Sequence, residues 1–405
     1  MKQVTIPKKL LIWSNDHEAV IWIMVMLLLA GCVNIFSSTF IKAEDQGSPP
    51  YFFLVKHLLT MGIGGVVFFL CYWVDYHRWR SILVPIISII VAMLLYVLAF
   101  GTEVNGAKRW IYIGSFSMQP AEFAKICSVM IEAYYLSYCW KTKKELGIIA
   151  PQHFALVMLA ALVEMEPDMG TMLIILGVPF LMLMVAGLNL STLKYLVPLG
   201  AAAAAAMCIY QPYRLQRIEV MFDPWADAQG MGYQTVQSLT AIGSGGFWGM
   251  GLGEGLAKYA YLPEAHTDFA FAVFCQENGF IFAAGLIVLY GLLGYFGVRI
   301  AKNAYDAYGQ ILAGGIVILI CLQAIVNMLM VSGILPVIGV PLPFISYGGS
   351  SLLASMAALG ILVNINRYTM VQQRKMERLT ERNLAIQQRR ETLRPGQRPR
   401  LTRIK

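Results

Sequence analysis

The sequence predicts an all-α polytopic membrane protein. It would have about ten transmembrane helices and one large extracytoplasmic loop between spans seven and eight. Three observations lead there. Hydrophobic residues make up 58% of the 405 and charged residues only 13%, which is far too apolar for a soluble protein. Apolar runs of about 20 residues, the length that crosses a hydrocarbon core, recur along the chain. One long polar interruption, 211–268, breaks the pattern.

The expected spans cover 20–40, 53–72, 81–100, 119–139, 152–166, 169–187, 192–210, 269–297, 309–332 and 346–367. The fifth and sixth are short, with Glu164, Glu166 and Asp168 at their junction. The first apolar run is long enough to be a span rather than a cleaved signal. Ten spans place both termini on one side. Of the 31 Lys and Arg residues, 23 fall there, which makes that side the cytoplasm and the 211–268 loop external. Residues 1–370 then form the membrane domain and 371–405 a basic cytoplasmic tail. From Arg367 onward the chain carries twelve basic and three acidic residues. This segment is expected to extend the last helix, lose order towards Pro395 and Pro399, and rest on anionic lipid. It lacks the interleaved aromatics of a nucleic-acid binder. The seven cysteines all lie in apolar spans without metal-ligand spacing, as small packing residues do.

The loop is expected to be ordered, because Tyr, Trp, Phe and Leu recur through it. Its glycines from Gly243 to Gly255 imply tight turns; no GxxxxGK[ST] accompanies them, so they do not form a nucleotide loop. Such an ordered polar structure on a membrane bundle is the place for chemistry on a lipid-linked substrate.

Several residues there have the right chemistry. Asp268 stands where the loop becomes the eighth span; a carboxylate desolvated at a membrane edge suits a general base. The same position also suits a helix cap formed by Thr267 or Asp268. His266, two residues away, offers a second titratable or hydrogen-bonding group. Glu122 and Lys125, spaced i, i+3 at the start of the fourth span, share a helix face. They form either a structural ion pair or the lining of a polar cavity. Lys108, Arg109, Arg214 and Arg217 are the outward cations nearest the spans. They could grip a pyrophosphate or simply snorkel to the interface. The two prolines of PLPFISYGGSS, residues 341–351, imply a broken segment lining a cavity, with Ser346, Tyr347 and Ser350 able to hydrogen-bond there.

Together these motifs resemble the SEDS family (shape, elongation, division and sporulation) of peptidoglycan glycosyltransferases. The matching segments are NGAKRWIYIG with QPAEFAK, EPDMGT, YRLQR through YLPEAHTDF, and LPVIGVPLPFISYGGSS, in family order from Asn105 to Ser351. NGAKRW, FDPWAD, GYQTVQSL and PEAHTDF are similar to the division branch more than to the elongation branch. The resemblance implies polymerisation of lipid II into β-1,4 glycan at the outer face of the cytoplasmic membrane, with undecaprenyl pyrophosphate leaving. It implies Asp268 as the essential acid and Glu122 with Lys125 as the family's ion pair. It also implies Arg214 and Arg217 as phosphate-binding positions and a divalent cation, magnesium, as cofactor. The implied partners are a class B penicillin-binding protein (a transpeptidase) and other division membrane proteins. The chain departs from the pattern at GLGEGLAK, where GLGxSxQK is usual, at HTDFAFA, where HTDFIFA is usual, and at QENGF.

A flippase or secondary transporter would also use ten spans, intramembrane charges and broken helices. No inverted repeat is visible, and the polar loop is one-sided. Nor does any segment form the Rossmann-like domain that nucleotide-sugar transferases need.

Overall fold

The computed structural model describes residues 15–104, 106–114, 116–147, 150–259 and 262–392. The first half holds α1 (Asp16–Asp45), α2 (Phe52–Trp73), the short α3 (Tyr76–Ser81), α4 (Leu83–Phe100), α5 (Pro120–Thr142), α6 (Pro151–Met165) and α7 (Met169–Val185). The second holds α8 (Leu193–Tyr210), α9 (Pro212–Phe222), α10 (Tyr233–Gly245), α11 (Ala270–Lys302), α12 (Ala307–Val331) and α13 (Gly349–Thr392). Among the described residues, α1, α2, α4, α11, α12 and α13 are long and apolar enough to cross a membrane, and α6, α7 and the start of α8 are shorter apolar helices. Large apolar side chains such as Leu29, Val66, Phe69, Val84 and Phe154 point outward. A soluble protein would not present such a belt. The chain is a multi-pass integral membrane protein.

The all-α expectation needs one correction. A small antiparallel sheet sits between α4 and α5, with strands β1 (Thr102–Val104), β2 (Ala107–Ile113) and β3 (Phe116–Met118) in that order. Its cause is local: Trp110, Ile111, Tyr112 and Ile113 favour a pleated strand, and Gly106 and Gly114 take positive φ at the two turns.

The described residues of the 211–268 stretch are built, not loose. Pro212 opens α9, its missing N–H costing nothing at the first turn. Helix α10 packs along α11. Helix α11 is itself broken at Gly279 (φ 74°). The loop fills the break: Met250 N–H donates to Gln276 O at 2.9 Å, Gly251 N–H to Glu277 O at 3.1 Å, and Phe280 N–H to Gly246 O at 2.9 Å. A side chain at Gly279 would collide with the Gly249 backbone. Next to the break, Lys258 and Glu277 form a wholly buried ion pair at 2.7 Å, with Ser37 Oγ of α1 donating to Glu277 at 2.5 Å. Two of the sequence's departures from the family pattern, GLGEGLAK and QENGF, meet at this pair.

Between α12 and α13 the chain is non-helical yet largely buried, with Val340, Leu342, Phe344 and Ile345 all under 3% exposed. Side chains satisfy its carbonyls: Asn327 donates to Val340 O, Gln323 to Pro341 O, and Tyr290 to Pro343 O. Irregular backbone at membrane depth is tolerated on those terms. Helix α13 then runs on to Thr392, and its residues from Arg374 to Gln388 are all exposed.

Candidate active site

A cavity of about 730 Å³ opens where β2, the α6–α7 junction, α9, the loop before α11 and the segment before α13 converge. Asp268 lies on its wall, with Arg109, Glu122, Asp168, Arg214, Arg217 and Glu264.

The PEAHTDF turn delivers Asp268. Thr267 N–H and Phe269 N–H both donate to Glu264 O, at 3.1 and 3.2 Å, closing a tight turn. Tyr347 N–H donates to His266 O at 2.8 Å, and Asn327 Nδ2 to Asp268 O at 2.8 Å, fixing the backbone on either side. The capping alternative fails. Helix α11 begins after Phe269, which makes no side-chain cap. Among the described residues, the Asp268 carboxylate has no hydrogen-bond donor and no ion-pair partner. It lies beside Gly339, where a β-carbon would sit 3.3 Å from its Oδ2. Burial first, then the charges of Glu264, Asp168 and Glu122, push its carboxyl up to about 7, with Arg109 opposing.

The predicted cations divide. Strand alternation sends Arg109 to the cavity and leaves its neighbour Lys108 exposed. Arg109 also clamps the α6–α7 junction, donating to Glu166 O at 3.0 Å and to Pro167 O. Arg214 is 3% exposed and paired with Glu164. Arg217 is half-buried and donates to Val337 O at 2.5 Å. Sequence alone treated Arg214 and Arg217 as equivalent. One helical turn apart, they meet different partners, and only Arg217 lacks a carboxylate within 4 Å among the described residues.

Glu122 reaches the cavity wall, and Lys125 lies behind it, 2.8 Å from the Glu122 carboxylate and 3.2 Å from Gln323 Oε1. Lys125, Lys108, His266 and Ser346 are not on the wall. Ser346 Oγ accepts from Leu342 N–H at 2.9 Å within its own turn. His266 Nε2 lies 3.1 Å from Lys42 Nζ; burial and then the Lys42 charge press the imidazole down to about 4.

Asp168 was legible only as part of a motif. It caps α7 through Thr171 N–H at 3.1 Å, accepts from Gln119 Nε2 at 3.0 Å, and faces the cavity. Its signal was the aspartate one residue before an apolar helical run. Glu166 is fully buried, and among the described residues both its carboxylate oxygens are unbonded.

Among the described residues, no group of three His, Cys, Asp or Glu side chains could hold a metal ion. The donor set does not fit a resident divalent cation.

Among the described residues, the wall thus offers one free carboxylate poised near neutrality and facing cations. Such a site can take a proton from a hydroxyl while stabilising a leaving phosphate. Comparison with known proteins gives the family. The family of cell cycle proteins FtsW, RodA and SpoVE matches residues 18–371. Stage V sporulation protein E of Bacillus subtilis is 37% identical over 352 residues, covering 86% of this chain and 96% of that protein. The probable peptidoglycan glycosyltransferase FtsW of Geobacter sp. strain M18 is 37% identical over 359 residues, covering 87% and 97%. Among solved structures, a chain from a study described as "Structural coordination of polymerization and crosslinking by a peptidoglycan synthase complex" superposes with TM-score 0.69 at 27% identity. It covers 86% of this chain and 97% of that one. The rod shape determining protein RodA of Thermus thermophilus gives TM-score 0.61 at 26% identity, covering 86% and 95%. This chain belongs to the FtsW/RodA/SpoVE family of cell cycle proteins.

Proposed function

We propose that this protein is a peptidoglycan glycosyltransferase that polymerises lipid II at the outer face of the cytoplasmic membrane, in septal wall synthesis during division. The observation that carries the reading is the unpaired Asp268 carboxylate on the wall of a cation-lined cavity. Relatives carrying the name FtsW support the division role.

In this reading Asp268 accepts the proton of the acceptor sugar's 4-hydroxyl as that oxygen attacks the donor's anomeric carbon. The bond from that carbon to the pyrophosphate oxygen breaks, the configuration inverts, and undecaprenyl pyrophosphate leaves. A carboxyl pushed to about 7 matches a base working near neutral pH. Arg109 and Arg217 face the growing negative charge of the leaving pyrophosphate. Arg214 acts on them indirectly, by tying α9 to Glu164.

The placement is a ten-span topology with both termini in the cytoplasm and 211–268 outside, and the gathering of 23 of the 31 Lys and Arg on one side supports it. Ten spans need α5 to α8 to cross despite short length or buried charge. On that topology the cavity opens outward and 371–405 is a cytoplasmic tail. A class B penicillin-binding protein is the proposed partner, because the superposed chain comes from a peptidoglycan synthase complex. Magnesium is proposed only as a companion of the substrate's pyrophosphate.

The test is incubation of the purified protein with labelled lipid II in detergent, with and without the transpeptidase. Glycan ladders support the reading. A flippase would give none, since detergent leaves no second compartment.

A further inference from the structure

We propose that the outer ends of α1 and α2 form a second anion site, centred on Lys42 and backed by His266. It would hold the pyrophosphate of one lipid-linked substrate while Arg109 and Arg217 face that of the other. The proposal rests on the glycosyltransferase reading and deepens it. Polymerisation brings two pyrophosphates to one carboxylate. Held close together they repel, so each needs its own cation and some separation.

The cavity cations described above all come from one side, from β2 and α9. Lys42 comes from the other. It sits half-buried in the last turn of α1, and among the described residues no carboxylate lies within 4 Å of it. Glu44 and Asp45 of the same turn are exposed. Among the described residues, the one hydrogen-bond partner of the Lys42 ammonium is the His266 imidazole at 3.1 Å. An ammonium at a membrane edge without a counter-ion is costly, and a phosphate supplies one. Phe53 lies 5.8 Å below Lys42, and Phe52, packed on Phe53 at 5.3 Å, carries a second ammonium, Lys56, at 4.4 Å.

The two sites adjoin. Tyr347 lines the cavity, and its ring lies 5.9 Å from that of His266 and 5.7 Å from that of Phe53, so it divides one site from the other. His266 is two residues from Asp268, a separation of at most about 7 Å along extended chain. The turn that carries the base therefore also carries the imidazole that backs Lys42.

A bulk phospholipid headgroup has the same charge chemistry, and the experiment separates the two. Lipid II polymerisation is titrated for the full chain with its transpeptidase, in neutral detergent and in phosphatidylcholine vesicles with and without phosphatidylglycerol. Lys42→Met keeps the stem and removes the charge; Lys42→Arg restores it. The expected result is a KM raised about tenfold or more in Lys42→Met, from loss of one charge-assisted contact, with kcat little changed. It should appear in all three media, and Lys42→Arg should recover most of it. An unchanged KM overturns the proposal. So does a defect confined to phosphatidylglycerol vesicles, which assigns Lys42 to bulk lipid. A fall in kcat with thermal stability, unrelieved by arginine, also overturns it by making Lys42 structural. Each of these leaves the parent reading intact if the wild type makes glycan. A wild type that makes none overturns both.

Discussion

Asn327 ties together two neighbouring stretches at the site, the turn that carries Asp268 and the segment before α13. Its side-chain amide donates to Asp268 O at 2.8 Å and to Val340 O at 2.7 Å, from a fully buried position on α12. Asn327→Leu removes both bonds and strands two carbonyls. A shift of about 1 Å at a reacting group can cost roughly 100-fold in rate. The variant should therefore lose kcat by about that factor with KM nearly unchanged, measured by lipid II titration well below its unfolding temperature. A wild-type kcat would show that Asn327 does not position Asp268.

Glu122→Ala should destabilise the protein more than the double change Glu122→Ala with Lys125→Ala. Removing one partner leaves a buried charge uncompensated, at about 3–5 kcal/mol. Lys125 keeps only Gln323 Oε1 in the single variant. Thermal unfolding in detergent checks the order. Because Glu122 faces the cavity and Lys125 does not, the double variant should regain stability without full activity.

Arg214→Ala and Arg217→Ala should differ in kind. Arg214 is buried against Glu164, so its loss should lower thermal stability, and Glu164→Gln in addition should restore part of it. Arg217 is half-buried with only a backbone acceptor, so its loss should weaken lipid II turnover with less effect on unfolding. Lysine should substitute poorly for Arg217, because it lacks the two-pronged guanidinium. Equal thermal and kinetic effects for the two would contradict the division.

The pH dependence has a definite sign. Asp268 must be ionised to accept a proton, and its carboxyl is pushed up to about 7. Hence kcat/KM should fall as pH drops through about 7 and level off above it. Glu264 is the largest charge raising that value, so Glu264→Gln should move the limb to lower pH. The movement should be small, since Glu264 is exposed and screened. Glu166 is also a buried carboxylate but is not on the cavity wall, so Glu166→Gln should leave the limb in place. A limb that follows Glu166 instead would reassign the base.

Helices with continuous apolar runs were legible because length and hydropathy alone set them. The sheet 102–118 was not, since its seven-residue strand reads like the edge of the preceding span. Asp268 stood out because a carboxylate at a span boundary is costly wherever it lies. Arg214 and Arg217 did not separate, because α9 turns one towards Glu164 and the other towards Val337, and no local pattern encodes those distant partners. Lys42, 224 residues before His266, was invisible for the same reason.

The central claim is that the Asp268 carboxylate is the base for glycan polymerisation, and Asp268→Asn tests it most directly. The change keeps shape and removes only basicity. Purified Asp268→Asn protein with its transpeptidase should retain the wild-type unfolding temperature within a few degrees and bind lipid II. Its rate of glycan ladder formation should fall by about 10²-fold to 10⁴-fold. A well-folded Asp268→Asn protein that extends glycan at the wild-type rate would contradict the account.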